Sequence, residues 1–281
     1  MDKNPSADHI QDLTEKARQI RLKVLDMIYK AQSGHLGGSL SVAEIISALY
    51  FSEMNVDPQR PDWSDRDRLV PSKGHCAPAI YSALVMKGIV QPEALDELRQ
   101  ISCILQGHPC MNKVPGIDIS TGSLGHGLSI GLGMALGANI RKKNFHVFVL
   151  CGDGELDEGQ NWEAAMAAAK YKLANLTAII DRNRVQLDGM TEDIMPLEPL
   201  EGKWKAFNWE TRTLDGHDAA AVVEGLRWAK AHTGGPTVII ANTVKGKGVS
   251  FMENKHQWHG RPPTEEEYLL ARKELEGGTH V

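Results

Sequence analysis

The spacing of apolar and polar positions changes period along the chain. Ile10, Leu13, Ala17, Ile20, Val24 and Ile28 recur at helical intervals, which predicts an amphipathic helix over 8–31, ended by Gln32-Ser33-Gly34. Ser41-Val42-Ala43-Glu44 fits a capping box ahead of Ile45, Ile46 and Leu49, so a second helix is expected from Ser41. Arg68-Leu69-Val70 reads as a short strand. Helices are expected over 75–87, from Pro92 to about residue 101, and over about 124–140. The second half alternates clearly. Strands are predicted at 145–151, 176–181, 210–214 and 236–242, with helices at 161–172 and 218–232. A long loop is expected at about 184–205, where Pro196 and Pro199 fall, and a last helix after Thr264, whose capping box closes at Glu267. Strand–helix alternation implies an α/β fold, three-layer α/β/α, with a mostly parallel sheet. No repeat or linker interrupts it. The expected organisation is a single domain over 1–281 with a C-terminal extension from about residue 243.

Composition narrows the function classes. Hydrophobic residues make up 42% and charged residues 24% of 281, enough to bury a core. The net charge of −5 argues against a general nucleic-acid binder. No apolar run approaches the ~20 residues a membrane helix needs, so no membrane role is expected. The start, MDKNPSADHI, has an acid at once and no apolar stretch, which is unlike a secretory signal. Cys76, Cys103, Cys110 and Cys151 form no C-x-x-C pair and read as buried, reduced thiols of a cytoplasmic protein. Twenty-seven glycines exceed the ~7% of an average protein. They cluster at 34–38, 122–137, 152–159 and 246–248, as backbone does where it approaches a ligand closely.

Residues 151–189 carry the densest chemistry. One predicted strand delivers Gly152-Asp153-Gly154 at its carboxyl end, and the next delivers Asp181-Arg182-Asn183, 30 residues from Asp153 to Asn183. That is the length of one strand–helix–strand unit, and ligands of parallel sheets sit beyond such strand ends. Asp153, Asn183 and a neighbouring backbone carbonyl would suit a hard cation such as Mg²⁺, which takes oxygen ligands and is shared with phosphates. The glycines beside Asp153 would let backbone N–H groups and a helix N-terminus meet a diphosphate. Read alone, Gly-Asp-Gly is also an ordinary tight turn; the paired strand end is what favours the ligand reading.

GDGELDEGQNWEA followed by IIDRNR resembles the thiamine diphosphate fingerprint, and transketolase in particular. The resemblance implies Mg²⁺ held by Asp153, Asn183 and the Val185 carbonyl, with the Gly154 N–H on the diphosphate. Glu158 matches the acid that the family buries at a subunit interface. SGHLGGSLSVAE at 33–44 places His35 at the substrate, and DRLVPSKGHCAPAIYS at 67–82 places His75 at the diphosphate. QGHPC places His108 at the donor sugar. STGSLGHGLSIGLGMALG at 120–137 resembles the segment lining the thiazolium, with Gly122, Ser123 and Leu124 as its contacts. NKHQWHG at 254–260 resembles an H-x-x-H-G segment, which puts His256 near both diphosphate and substrate. LDGHDAA at 214–220 is also family-like but is assigned no chemistry. The sequence departs from the pattern at His126 and at Cys110, and Cys110 leaves the donor contacts open.

The resemblance covers about residues 10–262, roughly half of a long transketolase. It implies that a second chain, a C-terminal transketolase subunit with the pyrimidine-binding domain, supplies the activating glutamate and the arginines for the sugar phosphate. An α2β2 heterotetramer follows by analogy. The implied reaction moves a two-carbon ketol unit from a ketose phosphate to an aldose phosphate. Three alternatives stay open: a 1-deoxyxylulose-5-phosphate synthase-like subunit, which would consume pyruvate; an α subunit of a 2-oxo acid dehydrogenase, which lacks these histidines in this order; and a non-catalytic cofactor-binding subunit.

Overall fold

A computed structural model describes residues 5–277; residues 1–4, the start of the segment read as unlike a secretory signal, lie outside the described residues. Five strands form one sheet: β1 (Arg68–Pro71), β2 (Val147–Gly152), β3 (Leu176–Arg182), β4 (Glu210–Asp215) and β5 (Thr237–Asn242). Their order is β1-β2-β3-β5-β4, and every pairing is parallel. The helices are α1 (Ala7–Ala31), α2 (Gly37–Leu40), α3 (Ala43–Ala48), α4 (Ala77–Met86), α5 (His126–Ile140), α6 (Gly159–Lys170), α7 (Thr191–Ile194), α8 (Leu200–Ala206), α9 (Ala219–Ala231) and α10 (Glu265–Leu275). Among the described residues, no helix is long and apolar enough to cross a membrane.

The three central strands are buried on both faces, so they read as continuous apolar runs rather than as alternating ones. Their side chains nonetheless alternate between two cores. Phe148, Leu150, Ile179, Ile239 and Ala241 join the larger core with α1, α3, α4 and α9. Val147, Val149, Cys151, Leu176, Ala178, Ile180, Val238 and Ile240 face the other, with α5, α6 and α8. This is the three-layer α/β/α architecture. A wholly parallel sheet also sends every carboxyl end to one side. Ser72-Lys73 after β1, Asp153 after β2, Asn183 after β3 and Thr243 after β5 therefore share one crevice.

Three local expectations need correction. Ser41 caps no helix with its side chain. Its hydroxyl donates to Asp181 Oδ2 at 2.8 Å, while Glu44 is drawn into an ion pair with Arg21 at 2.6 Å. Those tertiary partners replace the capping box, and α3 starts at Ala43. The helix from Pro92 is a 3-10 helix, Pro92–Glu97, stopped where Arg99 adopts φ +66° and its N–H bonds the Leu105 carbonyl. The long loop at 184–205 contains α7, with Thr191 buried, and α8, which puts Leu200 and Trp204 in the second core, Trp204 against Trp162 and Trp209. The tail helix does carry its capping box at Thr264 and Glu267. It folds back on α1, where Tyr268 stacks on Tyr29 at 4.1 Å and Arg272 pairs with Asp26 at 2.7 Å.

Candidate active site

The crevice encloses a cavity of about 200 Å³ lined by Lys73, His75, Leu124, Asp153, Asn183 and Val185, among others. Asp153 is 2% exposed and has no cationic side-chain partner among the described residues. Its two carboxylate oxygens each accept one backbone N–H, Oδ1 from Gly154 at 2.9 Å and Oδ2 from Arg184 at 2.5 Å. Burial, then the nearby Asp181 charge, pushes its pKa up to about 6. Each oxygen keeps a free lone pair. Asn183 is fixed next to it: Nδ2 donates to Asp181 at 2.9 Å and Oδ1 accepts the Val185 N–H at 3.1 Å. The Val185 carbonyl accepts the Lys245 ammonium at 3.0 Å. No group of three His, Cys, Asp or Glu that could hold a metal occurs among the described residues. An ion here would rely on one carboxylate, an amide oxygen and a carbonyl, a set of hard donors suited to Mg²⁺. A buried carboxylate that feels Lys73 and Lys245 only at a distance, with no direct ion pair, is the observation that such an ion fits.

Beneath it lies a network that sequence reasoning missed. Lys73 is 1% exposed; its ammonium donates to Asp181 Oδ2 at 2.5 Å and to the Gly38 carbonyl at 3.0 Å. Thr243 and Ser41 hydroxyls also bond Asp181. Burial pushes the Asp181 carboxyl up, but the Lys73 charge and these donors outweigh it and hold the pKa below the usual value. Glu155 is likewise buried, accepting Ser72 Oγ, Gly125 N–H at 2.7 Å and Gly152 N–H at 2.9 Å. Together these contacts brace the turns after β1 and β2. Lys245 completes the set, donating to the Val185 and Gln186 carbonyls and lying 2.9 Å from His259 Nδ1. Burial, then the Lys73 charge, lowers its pKa to about 8.

Four imidazoles crowd the mouth. His35 lies 5.3 Å from His75, 5.9 Å from His108 and 5.4 Å from His259, centroid to centroid, and His75 lies 5.1 Å from His259. Burial lowers all four pKa values, His35 to about 4 and His259 to about 3, with neighbouring positive charges adding to the effect. They are neutral at pH 7, each ring with one donor and one acceptor nitrogen.

Of the residues singled out from sequence, Asp153, Asn183, Val185, Gly154, His75 and Leu124 line the cavity, and His35 and His108 stand beside it. Gly122, at φ +145°, packs so closely on His108 that a Cβ there would sit 3.1 Å from the ring. Ser123 and Glu158 are exposed at the entries to α5 and α6. His256 is a correction. It sits on a 3-10 turn, His256–Trp258, and its ring makes no hydrogen bond or ring contact among the described residues. Trp258 is the buried anchor of this turn, and His259, three residues on, enters the cluster instead.

Comparison with known proteins gives the family. The family described as "Transketolase, thiamine diphosphate binding domain" matches residues 13–279. The chain is thus a thiamine diphosphate-binding α/β domain. The chain belongs to the transketolase family. It is 47% identical over 94% of its length to a 6-deoxy-6-sulfo-D-fructose transketolase subunit of Clostridium sp. (strain MSTE9), covering 96% of that protein. It is 44% identical over 95% of its length to an apulose-4-phosphate transketolase subunit of Phocaeicola vulgatus, covering 94% of it. The solved transketolase of Campylobacter jejuni superposes with a TM-score of 0.90 at 34% identity, over 96% of this chain. The match spans only 44% of that structure.

Proposed function

We propose that this chain is the diphosphate-binding subunit of a two-chain transketolase, which transfers a two-carbon ketol unit between a ketose phosphate and an aldose phosphate. The observation that carries the reading is Asp153, a buried carboxylate in no direct ion pair among the described residues, set beside the Asn183 amide oxygen and the Val185 carbonyl in one crevice. These three groups would hold Mg²⁺. Gly154 and His75 would meet the diphosphate, and Gly122, Ser123 and Leu124 the ring it carries. When bound, the cofactor supplies the electron sink for breaking the donor carbon–carbon bond. This chain's own part is to bind, orient and move protons. His35 and His108 donate to donor-sugar hydroxyls. His259 takes the role that the H-x-x-H-G pattern gave to His256. Lys245, a cation, donates its protons, so His259 Nδ1 is the acceptor in that contact and its Nε2 carries the ring proton. That proton is available to a substrate oxygen.

Two relatives of the same length carry names of transketolase subunits, which supports a partner chain bearing the pyrimidine-binding domain. Exposed Glu158 would then be covered at the interface of an α2β2 heterotetramer. The four free cysteines are in keeping with a cytoplasmic setting. Pentose phosphates are the general substrates of this reaction class. The names of the two relatives favour a second reading, a sulfonated or branched sugar as donor. The test is to mix the purified chain with its partner, weigh the complex, and assay both donor classes with Mg²⁺ and thiamine diphosphate. A 2:2 mass and ketol transfer only from the mixture are expected. Full activity of the isolated chain would overturn the proposal.

A further inference from the structure

Outside the crevice, a second buried polar chain runs through the DGHD segment between β4 and α9. Arg21 on α1 grips Glu44 on α3 with two bonds, Nη1 to Oε1 and Nη2 to Oε2, each 2.6 Å, and its Nε donates to the Leu40 carbonyl at 3.1 Å. Glu44 Oε2 also lies 3.0 Å from His217 Nδ1. On the far side of that ring, Nε2 lies 2.8 Å from the Val244 backbone nitrogen. A backbone N–H can only donate, so Nε2 holds the lone pair and Nδ1 holds the proton that goes to Glu44. The ring is thereby fixed in one tautomer by two partners on different elements, and its own backbone N–H is tied to Asp215 at 2.8 Å.

Val244 directly precedes Lys245, whose three donors reach the Val185 carbonyl, the Gln186 carbonyl and His259 Nδ1. Thr243, on the other side, bonds Asp181. The backbone of this three-residue stretch is held at three points: the Thr243 N–H donates to the Arg182 carbonyl at 3.1 Å, the Lys245 carbonyl accepts the Asn254 N–H at 2.9 Å, and between them the Val244 N–H donates to His217. We propose that His217 is a positioning residue: held by the Arg21–Glu44 pair, it anchors the Val244 amide and so sets Lys245 between the strand-end carbonyls and His259. The anchor lets α1 and α3 bear on the height of a crevice lysine to which, among the described residues, neither helix hydrogen-bonds. This rests on the proposed function only for its effect on cofactor and turnover; the tautomer and the anchored amide stand on the contacts alone.

Two variants separate positioning from simple packing. His217→Gln puts a carbonyl oxygen at the level of Nε2, so it can still accept from Val244. His217→Asn reaches only the level of Nδ1, so it can keep Glu44 but loses Val244. Nitrogen-15 NMR of the wild-type chain should show the Nδ1–H tautomer at the resonance that His217→Gln removes. Hydrogen exchange over 243–249 should be about tenfold faster in His217→Asn and near wild type in His217→Gln, with melting temperatures of the two variants alike. In the assembled complex, half-saturation by thiamine diphosphate should rise about tenfold for Asn and stay within a few-fold for Gln. An Nε2–H tautomer, or Asn and Gln variants that match in exchange and half-saturation, would overturn the proposal. If the wild-type complex failed to bind the cofactor at all, the functional reading would fall, while the tautomer and the exchange contrast would still decide the role of His217.

Discussion

Single side chains divide into those whose role shows in local sequence and those that only the fold reveals. Asp153 and Asn183 belong to the first kind. Each follows an apolar run at a strand end, and the 30-residue interval between them is a unit of the fold. Asp153→Ala removes the carboxylate of the proposed ion site, so calorimetry on the assembled complex should show no measurable Mg²⁺-dependent retention of thiamine diphosphate. Lys73, Asp181 and Lys245 belong to the second kind. A lysine in a sequence reads as a solvated charge, and nothing short of the sheet order brings Lys73 and Asp181 together, 108 residues apart. His256 and His259 fail for another reason. Their segment is short and polar, with no apolar period to say which ring turns inward, and only the burial of Trp258 decides it. Turnover of the complex should fall by about a hundredfold or more in His259→Ala, by loss of a proton donor at the substrate. In His256→Ala it should stay within about twofold.

At the level of elements, the parallel strands were the most legible part. Their apolar runs are bounded by turns, and each lies within two residues of its expected limits. The short helices α7 and α8 were not legible. Pro199 and Gly202 weaken the local signal of α8, which is held by the docking of Trp204 rather than by propensity, and α7 is a single turn with Thr191 buried. Helix α5 was visible as an apolar, glycine-rich segment, but the reason for its glycines lies in packing. A Cβ at Gly131 would come within 2.3 Å of Val149 Cγ2 on β2, and one at Gly127 would meet Ser72 Cβ at 2.3 Å. Backbone, not side chain, lies against the sheet at these positions. Gly131→Ala improves helix propensity by about 1 kcal/mol but overpacks this contact, which costs about 1–3 kcal/mol. A net loss of stability of up to about 2 kcal/mol should appear in urea unfolding of the chain, with the cavity residues unchanged.

For the molecule as a whole, acid is the expected weakness. His146 is buried between β2 and β3, where Nε2 meets the Thr177 hydroxyl at 2.7 Å and Thr177 meets Thr237 at 2.8 Å. Burial lowers its pKa to about 4, a shift that Asp67 opposes and Lys230 reinforces. The unfolded chain takes up a proton near pH 6.5 that the folded chain refuses until about pH 4, so stability falls as pH drops through that window. The neutral ring contributes fully above about pH 6.5, and the loss by about pH 4 is up to about 3 kcal/mol. His146→Gln keeps a donor at the level of Nε2 and has no such titration. The stability difference between wild type and this variant should therefore shrink by that amount between pH 6.5 and 4, measured by chemical unfolding at each pH. None of this was visible in the sequence, where His146 is one polar residue before an apolar run.

The sheet ends on one side at β4, whose residues are all exposed or half-covered. Glu210, Arg212 and Asp215 put charge along that border, and Thr213 is tied to Glu201 of α8 at 2.9 Å. A rim decorated in this way repels the approach of a foreign strand, since any ladder formed there would have to strip water from ionised groups. Fibril-like stacking along this border is thereby discouraged, and recognition of other chains is left to helix and loop surfaces, where side chains rather than bare amides choose the company.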